Sequence, residues 1–314
     1  MIKLGIRLHF GLISMSNDLP RKFGGVGLSI PEIGGFCEIT PQKKRGIYIN
    51  DLYSEKFSVF AEKVSSFVNT ELKPISISLN YPKHCGFGTG TQIRFGIIDV
   101  ISSDAGVRLS HNERIELSGR GGASGIGING WKKEGFIFDL GRPNVISTMF
   151  APSSKLNGAS DHIYLPTVKC KWDILVAIPK NYIGLHGKEE LKVFKEICPI
   201  PKQASINSGY EAIFGLYPAI IEENYDNFIE SLSKFQSLKW KTEVLERTPN
   251  WLKREKNKLE SQLELPFFLS SWGPTLFTFL KKDYKLNIDD FLKNFNKTNI
   301  YYKLEKIVLN CLKF

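Results

Sequence analysis

Residues 75–102 run as alternating strand, glycine-rich loop and helix, and no other stretch limits so sharply what this chain can fold into. After Pro74, the segment Ile75-Ser76-Ile77-Ser78-Leu79 alternates apolar and polar residues, the period of a strand with one buried face. Further on, Ile93, Gly96, Ile97, Val100 and Ile101 recur at helical spacing. Between them lies Pro82-Lys83-His84-Cys85-Gly86-Phe87-Gly88-Thr89-Gly90-Thr91-Gln92. Glycines let a backbone approach an anion closely, and the helix that follows aims its unpaired N–H groups and positive dipole end at the loop. A phosphate or diphosphate suits such a place. Thr89 and Thr91 offer hydroxyls to it or to a magnesium ion, and Lys83 offers charge. A tight strand-to-helix connection without a ligand accounts for the glycines too. The even spacing of Gly86, Gly88 and Gly90, with no lysine after any of them, fits neither the Walker loop nor the dinucleotide fingerprint.

Elsewhere the pattern is mixed. Phe57, Phe60, Ala61, Val64, Phe67 and Val68 place one apolar stripe on a helix over 51–69. A second glycine cluster at 119–130 leads into an apolar run at 135–140, read as a strand, and a further buried strand is expected at 172–179. Helical stretches are expected at 188–196, 208–223 and 226–238. Strands and helices in this irregular order predict an α+β fold in two lobes, 1–160 and 161–314, with the crossing near 150–170. Repeats, low-complexity tracts and flexible linkers are lacking, so that crossing is expected to be compact.

Three further places offer ligand contacts. Arg120, Gly121, Gly122, Ala123, Ser124 and Gly125 are expected to form a second concavity of N–H groups, with Arg120 able to grip a phosphate or carboxylate through two N–H donors. A structural turn explains those glycines equally. Ser270, Ser271, Gly273 and Pro274 lie between the apolar run 267–269 and a helix expected to begin near Pro274, as anion donors or as a simple serine cap. His9, alternating with core residues in an early strand, and His186, in a glycine turn, read either as site groups or as hydrogen-bonded structural histidines.

The 42% hydrophobic and 24% charged content is that of an ordinary globular chain. The net charge of +10 attracts polyanions, but its lysines are interspersed with acids and asparagines along the C-terminal helices, so no nucleic-acid face is expected. The five cysteines, Cys37, Cys85, Cys170, Cys198 and Cys311, are scattered and read as small buried hydrophobes. No apolar run reaches the roughly 18 residues that span a bilayer, and the expectation is a cytoplasmic protein without membrane contact.

Pro82-x-x-x-Gly86-x-Gly88-Thr89 resembles the phosphate loop of the galactokinase/homoserine kinase/mevalonate kinase (GHMP) superfamily, with Gly90-Thr91 in place of the usual Ser-Ala. That variant loop is similar to the one in β-ribofuranosylaminobenzene 5′-phosphate synthases. Arg7-Leu8-His9-Phe10-Gly11-Leu12-Ile13 and Arg21-x-x-Gly24-Gly25-Val26-Gly27 resemble the synthases' opening strand pair. Gly119-Arg120-Gly121-Gly122-Ala123-Ser124-Gly125-Ile126-Gly127 resembles their G-R-G-x-x-S-G-I-G, and 184–190 and 270–275 continue the likeness.

The resemblance implies a two-lobed GHMP-kinase-like fold and a phosphoribosyltransferase. That enzyme joins phosphoribosyl diphosphate to 4-aminobenzoate or a related para-hydroxy or heteroaromatic carboxylate, releasing diphosphate and CO2, in methanopterin-type or C-nucleoside biosynthesis. It implies Mg2+, a possible homodimer, and a site in which Arg21, Arg120 and His9 act catalytically while Lys83, Gly86, Gly88, Thr89, Gly90, Thr91, Gln92, Gly121, Gly122, Ala123, Ser124, Gly125, Ser271 and Gly273 bind substrate. Metal ligands are left unassigned. An ATP-dependent small-molecule kinase is the alternative, since the superfold supports phosphoryl transfer. Ser14, Phe23 and Asp139-Leu140-Gly141-Arg142 depart from the family pattern, which has an acid at each of the first two places and D-G-G-H at the third.

Overall fold

The computed structural model describes residues 1–144, 149–156, 161–282, 284, 288–299 and 302–307, and Cys311 lies outside them. The long strands β1 (Ile2–Ser14) and β2 (Arg21–Ile39) pair antiparallel, as the opening strand pair requires. β2 also pairs with β5 (Ile75–Leu79), β6 (Gly135–Asp139) and β7 (Arg142–Pro143). The short β3 (Ile47–Ile49) and β4 (Leu52–Tyr53) complete this first sheet beyond β5. The second sheet has the order β11 (Tyr302–Ile307), β8 (Asp173–Pro179), β10 (Leu276–Leu280), β9 (Phe268–Leu269).

Between the sheets lies an aromatic core. Phe10 of β1 stacks on Phe277 at 5.3 Å, and Trp172 on Phe228 at 4.6 Å, a geometry worth something beyond area burial alone. β8 is buried on both faces: Ile174, Val176 and Ile178 join this core, while Leu175 and Ala177 join a second one under α5 (Gly187–Ile197), α9 (Lys239–Glu246) and α10 (Asn250–Leu263). That explains its unbroken apolar sequence. A third core lies between the first sheet and helices α1 (Glu55–Phe67) and α2 (Thr89–Asp104).

Three sequence expectations change. The helix expected over 51–69 begins at Glu55, because Asn50 (φ 48°) and Asp51 (φ 67°) form a left-handed two-residue turn that pairs Leu52–Tyr53 back onto β3. The helix expected over 208–223 begins earlier, as α6 (Lys202–Tyr210), then widens into a π-turn at Glu211–Leu216 before α7 (Tyr217–Ile221). Pro218 has no N–H to continue the α ladder there. No helix begins at Pro274. Leu276–Leu280 is a fully buried strand with β8 on one side and β9 on the other, so its apolar residues serve a sheet interior.

Candidate active site

Strand alternation places Arg7 and His9 on one face of β1 while Ile6, Leu8 and Phe10 enter the core. The Gly loop is fastened directly to that strand: Arg7 N donates to Phe87 O at 2.9 Å. Cys85 and Phe87 anchor the loop in the core, and Ser270 Oγ donates to Gly86 O at 2.9 Å while accepting from His9 N at 3.1 Å. The loop is therefore held from below by buried groups.

Its last residue, Gly88, has φ 71°, and provides no side chain to cap the first turn of α2. A Cβ on Gly88 would lie 2.5 Å from Arg7 Nε, and one on Gly90 would lie 2.9 Å from Arg120 Nη2. Two guanidinium groups thus reach the same helix N-terminus. Arg7 Nη1 is buried and has no hydrogen-bond partner among the described residues. Burial lowers the Arg7 pKa to about 10, with Glu190 opposing and Arg120 adding to the fall. Arg120 is lowered by burial too, against the pull of Glu190. Around them Lys56 is depressed by burial and by Arg120, Arg94 and Lys155, and Lys83 by burial. Cations whose charge is disfavoured chiefly by burial, with one buried N–H unspent, describe a site built for an anion of high charge.

Beside this anion site runs a cleft lined by Arg7, His9, Ser124, Glu190, Lys241, Ser271 and the rings of Phe194, Trp240 and Trp272. His9 Nε2 lies 3.0 Å from Ser124 Oγ, and burial, then Arg7 and Lys241, hold its pKa well below 6.5. The imidazole is neutral at pH 7. Burial raises Glu190, which accepts from Trp272 Nε1 at 2.8 Å.

Of the residues expected from sequence, Lys83, Gly86, Gly88, Thr89, Gly90, Thr91 and Arg120 converge at the loop, and His9, Ala123, Ser124 and Ser271 line the cleft. Gly273 packs its carbonyl behind Gly86. Others are engaged elsewhere. Arg21 donates to Leu140 O at 3.0 Å and Gly141 O at 2.5 Å, so its guanidinium fastens β2 to the turn after β6. Gln92 accepts from Gly5 N at 2.9 Å and so braces β1. The second concavity is also largely satisfied from within. Ala123 N and Ser124 N donate to Ser153 Oγ at 3.3 and 3.0 Å, and Gly125 N donates to Asp139 Oδ2 at 2.6 Å. Among the N–H groups expected there, those of Gly121 and Gly122 are not spent in these bonds.

Sequence reasoning missed Arg7 as a site group, although it alternates with Leu8 as His9 does. It passed over Glu190 and Trp272 inside the 184–190 and 270–275 segments, and it missed Lys241 and Trp240 because their helix lies outside every motif. It also missed His162, whose Nδ1 lies 2.7 Å from Asp139 Oδ1. The described residues gather no cluster of three or more His, Cys, Asp or Glu able to hold a metal.

The architecture is that of the GHMP kinases. Phosphomevalonate kinase of Streptococcus pneumoniae superposes with a TM-score of 0.65 at 11% identity, covering 98% of both chains. Mevalonate kinase of Methanococcus jannaschii gives 0.61 at 12% identity, covering 98% of each. No family model matches the chain. In sequence the chain is 28% identical to β-ribofuranosylphenol 5′-phosphate synthase of Methanocaldococcus jannaschii over 317 aligned residues, 96% of this chain and 95% of the relative. It is 26% identical to the synthase of that name in Methanothermobacter thermautotrophicus, across 87% of this chain and 86% of that one. The resemblance read from the motifs holds along nearly the whole chain, with a phenol rather than an aminobenzene in the relatives' name. Like them, the chain is an enzyme of the pentosyltransferase type.

Proposed function

We propose that the chain is a phosphoribosyltransferase that makes a C-riboside, joining phosphoribosyl diphosphate to a para-hydroxy aromatic carboxylate with release of diphosphate and CO2. The observation that carries this reading is the convergence of Arg7 and Arg120 on the Gly88–Gly90 helix start, with a buried guanidinium N–H left over. A diphosphate is the leaving group, and fixed cations and N–H donors around it stabilise the charge that grows as its bond to ribose C1 breaks. The ring carbon bearing the carboxylate supplies the electron pair for the new bond to C1. As the para hydroxyl gives up its proton, the ring becomes a dienone; loss of CO2 returns the C–C pair to the ring, and the resulting phenolate is reprotonated. The Thr89 and Thr91 hydroxyls are candidate contacts for Mg2+, which would neutralise charge on the departing diphosphate.

Calorimetric titration with phosphoribosyl diphosphate and with ATP, each with magnesium, tests the reading. Selective binding of the first, and diphosphate and CO2 release with 4-hydroxybenzoate, are expected; selective ATP binding would turn the protein into a kinase. Arg7→Gln should weaken phosphoribosyl diphosphate about 10- to 100-fold, the range of a lost charge-assisted hydrogen bond. An unchanged Kd in that variant would remove Arg7 from the site.

A further inference from the structure

We propose that Lys241, with the Phe194–Trp240–Trp272 ring cluster beside it, forms the subsite for the acceptor's aromatic carboxylate, and that its ammonium binds that carboxylate. The inference rests on the functional reading above for the identity of the acceptor, and on separate observations for the location. Lys241 is 3% exposed, on α9. Its Nζ donates to Leu269 O at 2.7 Å and Ser271 O at 2.9 Å, and no carboxylate among the described residues pairs with it. An ammonium has three donors, so two carbonyls leave one N–H and the whole charge uncompensated. The side chain lines the cleft, and so do the rings. Phe194 and Trp240 lie 5.1 Å apart at an interplanar angle of 51°, Trp240 and Trp272 5.4 Å apart at 71°, so the cleft has an aromatic lining of mixed ring faces and edges beside a cation.

That pairing of surfaces matches a planar ring with one anionic end. The cleft's open volume is about 50 Å³, enough for the carboxylate and a little water. Entry of the whole ring requires lining side chains to change rotamer, a common accompaniment of binding. Because Arg7 both lines the cleft and meets Gly88 of the phosphate loop, an acceptor held on Lys241 would lie beside the anion site.

Charged groups facing Lys241 are few. β1 brings His9 and Arg7, α5 brings Glu190, and the segment after β9 brings only carbonyls. Burial lowers the Lys241 pKa to about 7, so in the free protein its charge fades as pH rises past neutrality. Binding a carboxylate favours the protonated lysine. Affinity should therefore fall above about pH 7, by at most about tenfold per unit, with Lys241 protonated on binding.

Calorimetry with 4-hydroxybenzoate and its neutral isostere 4-hydroxybenzamide, on the wild type and Lys241→Met at about pH 6 and about pH 8.5, reads this directly. Methionine fills similar volume without charge, which buried positions tolerate. The wild type should prefer the carboxylate by about tenfold or more at the lower pH, lose most of that preference at the higher, and the variant should show neither preference nor pH dependence. A preference that survives in Lys241→Met, or pH dependence that survives there and so belongs to Glu190, overturns the assignment, as does a wild type that binds neither compound. Diphosphate release measured on the same samples separates the two claims. Turnover with a Lys241-independent carboxylate preference sinks only the subsite, whereas Lys241-dependent binding without any turnover sinks only the phosphoribosyltransferase reading. Should Lys241→Met fail to fold, Lys241→Gln, whose amide can still donate to the Leu269 and Ser271 carbonyls, takes its place with the same outcomes.

Discussion

Gly88→Val should abolish measurable binding of phosphoribosyl diphosphate while leaving a folded protein. Two independent effects act at this one position. Gly88 has φ 71°, a backbone region that β-branched residues essentially never occupy, so valine strains the turn by about 1–3 kcal/mol before any contact is counted. Its Cβ would lie 2.5, 2.8 and 3.0 Å from Arg7 Nε, Cγ and Cδ, which pushes the guanidinium from the helix start it serves. Losing the loop geometry and the arginine together should raise Kd by more than about 100-fold, beyond what a single charged hydrogen bond supplies. The loop's buried anchors, Cys85 and Phe87, are untouched, so far-UV circular dichroism should stay native. Gly88→Ala, which keeps the strain and the clash with Arg7 in milder form, should fall between. If Gly88→Val binds within about threefold of the wild type, the phosphates lie elsewhere on the protein.

How far the sequence disclosed this arrangement follows from how local each signal is. The strand, loop and helix of 75–104 were legible because glycine spacing and two hydrophobic periods sit side by side in one segment. The opening strand pair was legible through the resemblance of 7–13 and 21–27 to the synthases' motifs. The segment 270–275 was misread as preceding a helix because the apolar run at 276–280 has no period of its own; only its two sheet neighbours make it a strand. The N–H groups of Ala123, Ser124 and Gly125 looked available because their acceptors, Ser153 and Asp139, lie 14 to 30 residues away in the chain. Lys241 lies beyond any motif, and only the packing of α9 against β1, where Gly11 leaves room for its stem, brings it to the cleft.

The three departures from the family pattern turn out to be one packing arrangement. Ser14 and Phe23 face each other across the β1–β2 ladder, and the Arg142 guanidinium lies 5.0 Å from the Phe23 ring. Ser14 Oγ donates to Arg21 O at 2.6 Å, which ties the same corner to the arginine that holds the turn after β6. An aromatic ring under a guanidinium replaces the acids expected there, and cation–π contact in a buried place is a stable substitute for an ion pair. None of the three residues lines the cleft beside the phosphate loop. The changes therefore bear first on how the β2 corner is packed, and the anion site of Arg7 and Arg120 stands without them.

That corner is also where the largest loss of stability is expected, on replacing Asp139 by alanine. Asp139 is fully buried at the end of β6 and spends both oxygens: Oδ2 accepts from Gly125 N at 2.6 Å, Oδ1 from Gly141 N at 2.9 Å, and His162 Nδ1 lies 2.7 Å from Oδ1. Alanine leaves two buried N–H groups and a buried imidazole without their acceptor, and His162 Nε2 already has no partner among the described residues. Breaking such a set costs about 3–5 kcal/mol. Asp139→Asn keeps one acceptor but turns an amide N–H toward a donor at the other, so it should lose less than alanine and more than half as much. Urea unfolding at neutral pH measures both. The consequence reaches the site, because Gly125 follows Ser124, which meets His9 in the cleft, and Gly141 carries the carbonyl that fixes Arg21. Phosphoribosyl diphosphate should bind Asp139→Asn several-fold more weakly, through a loosened 120–125 turn and not through any direct contact. A loss of less than about 1 kcal/mol in Asp139→Ala would show that the turn is held by its glycines alone, and that the buried carboxylate is a passenger.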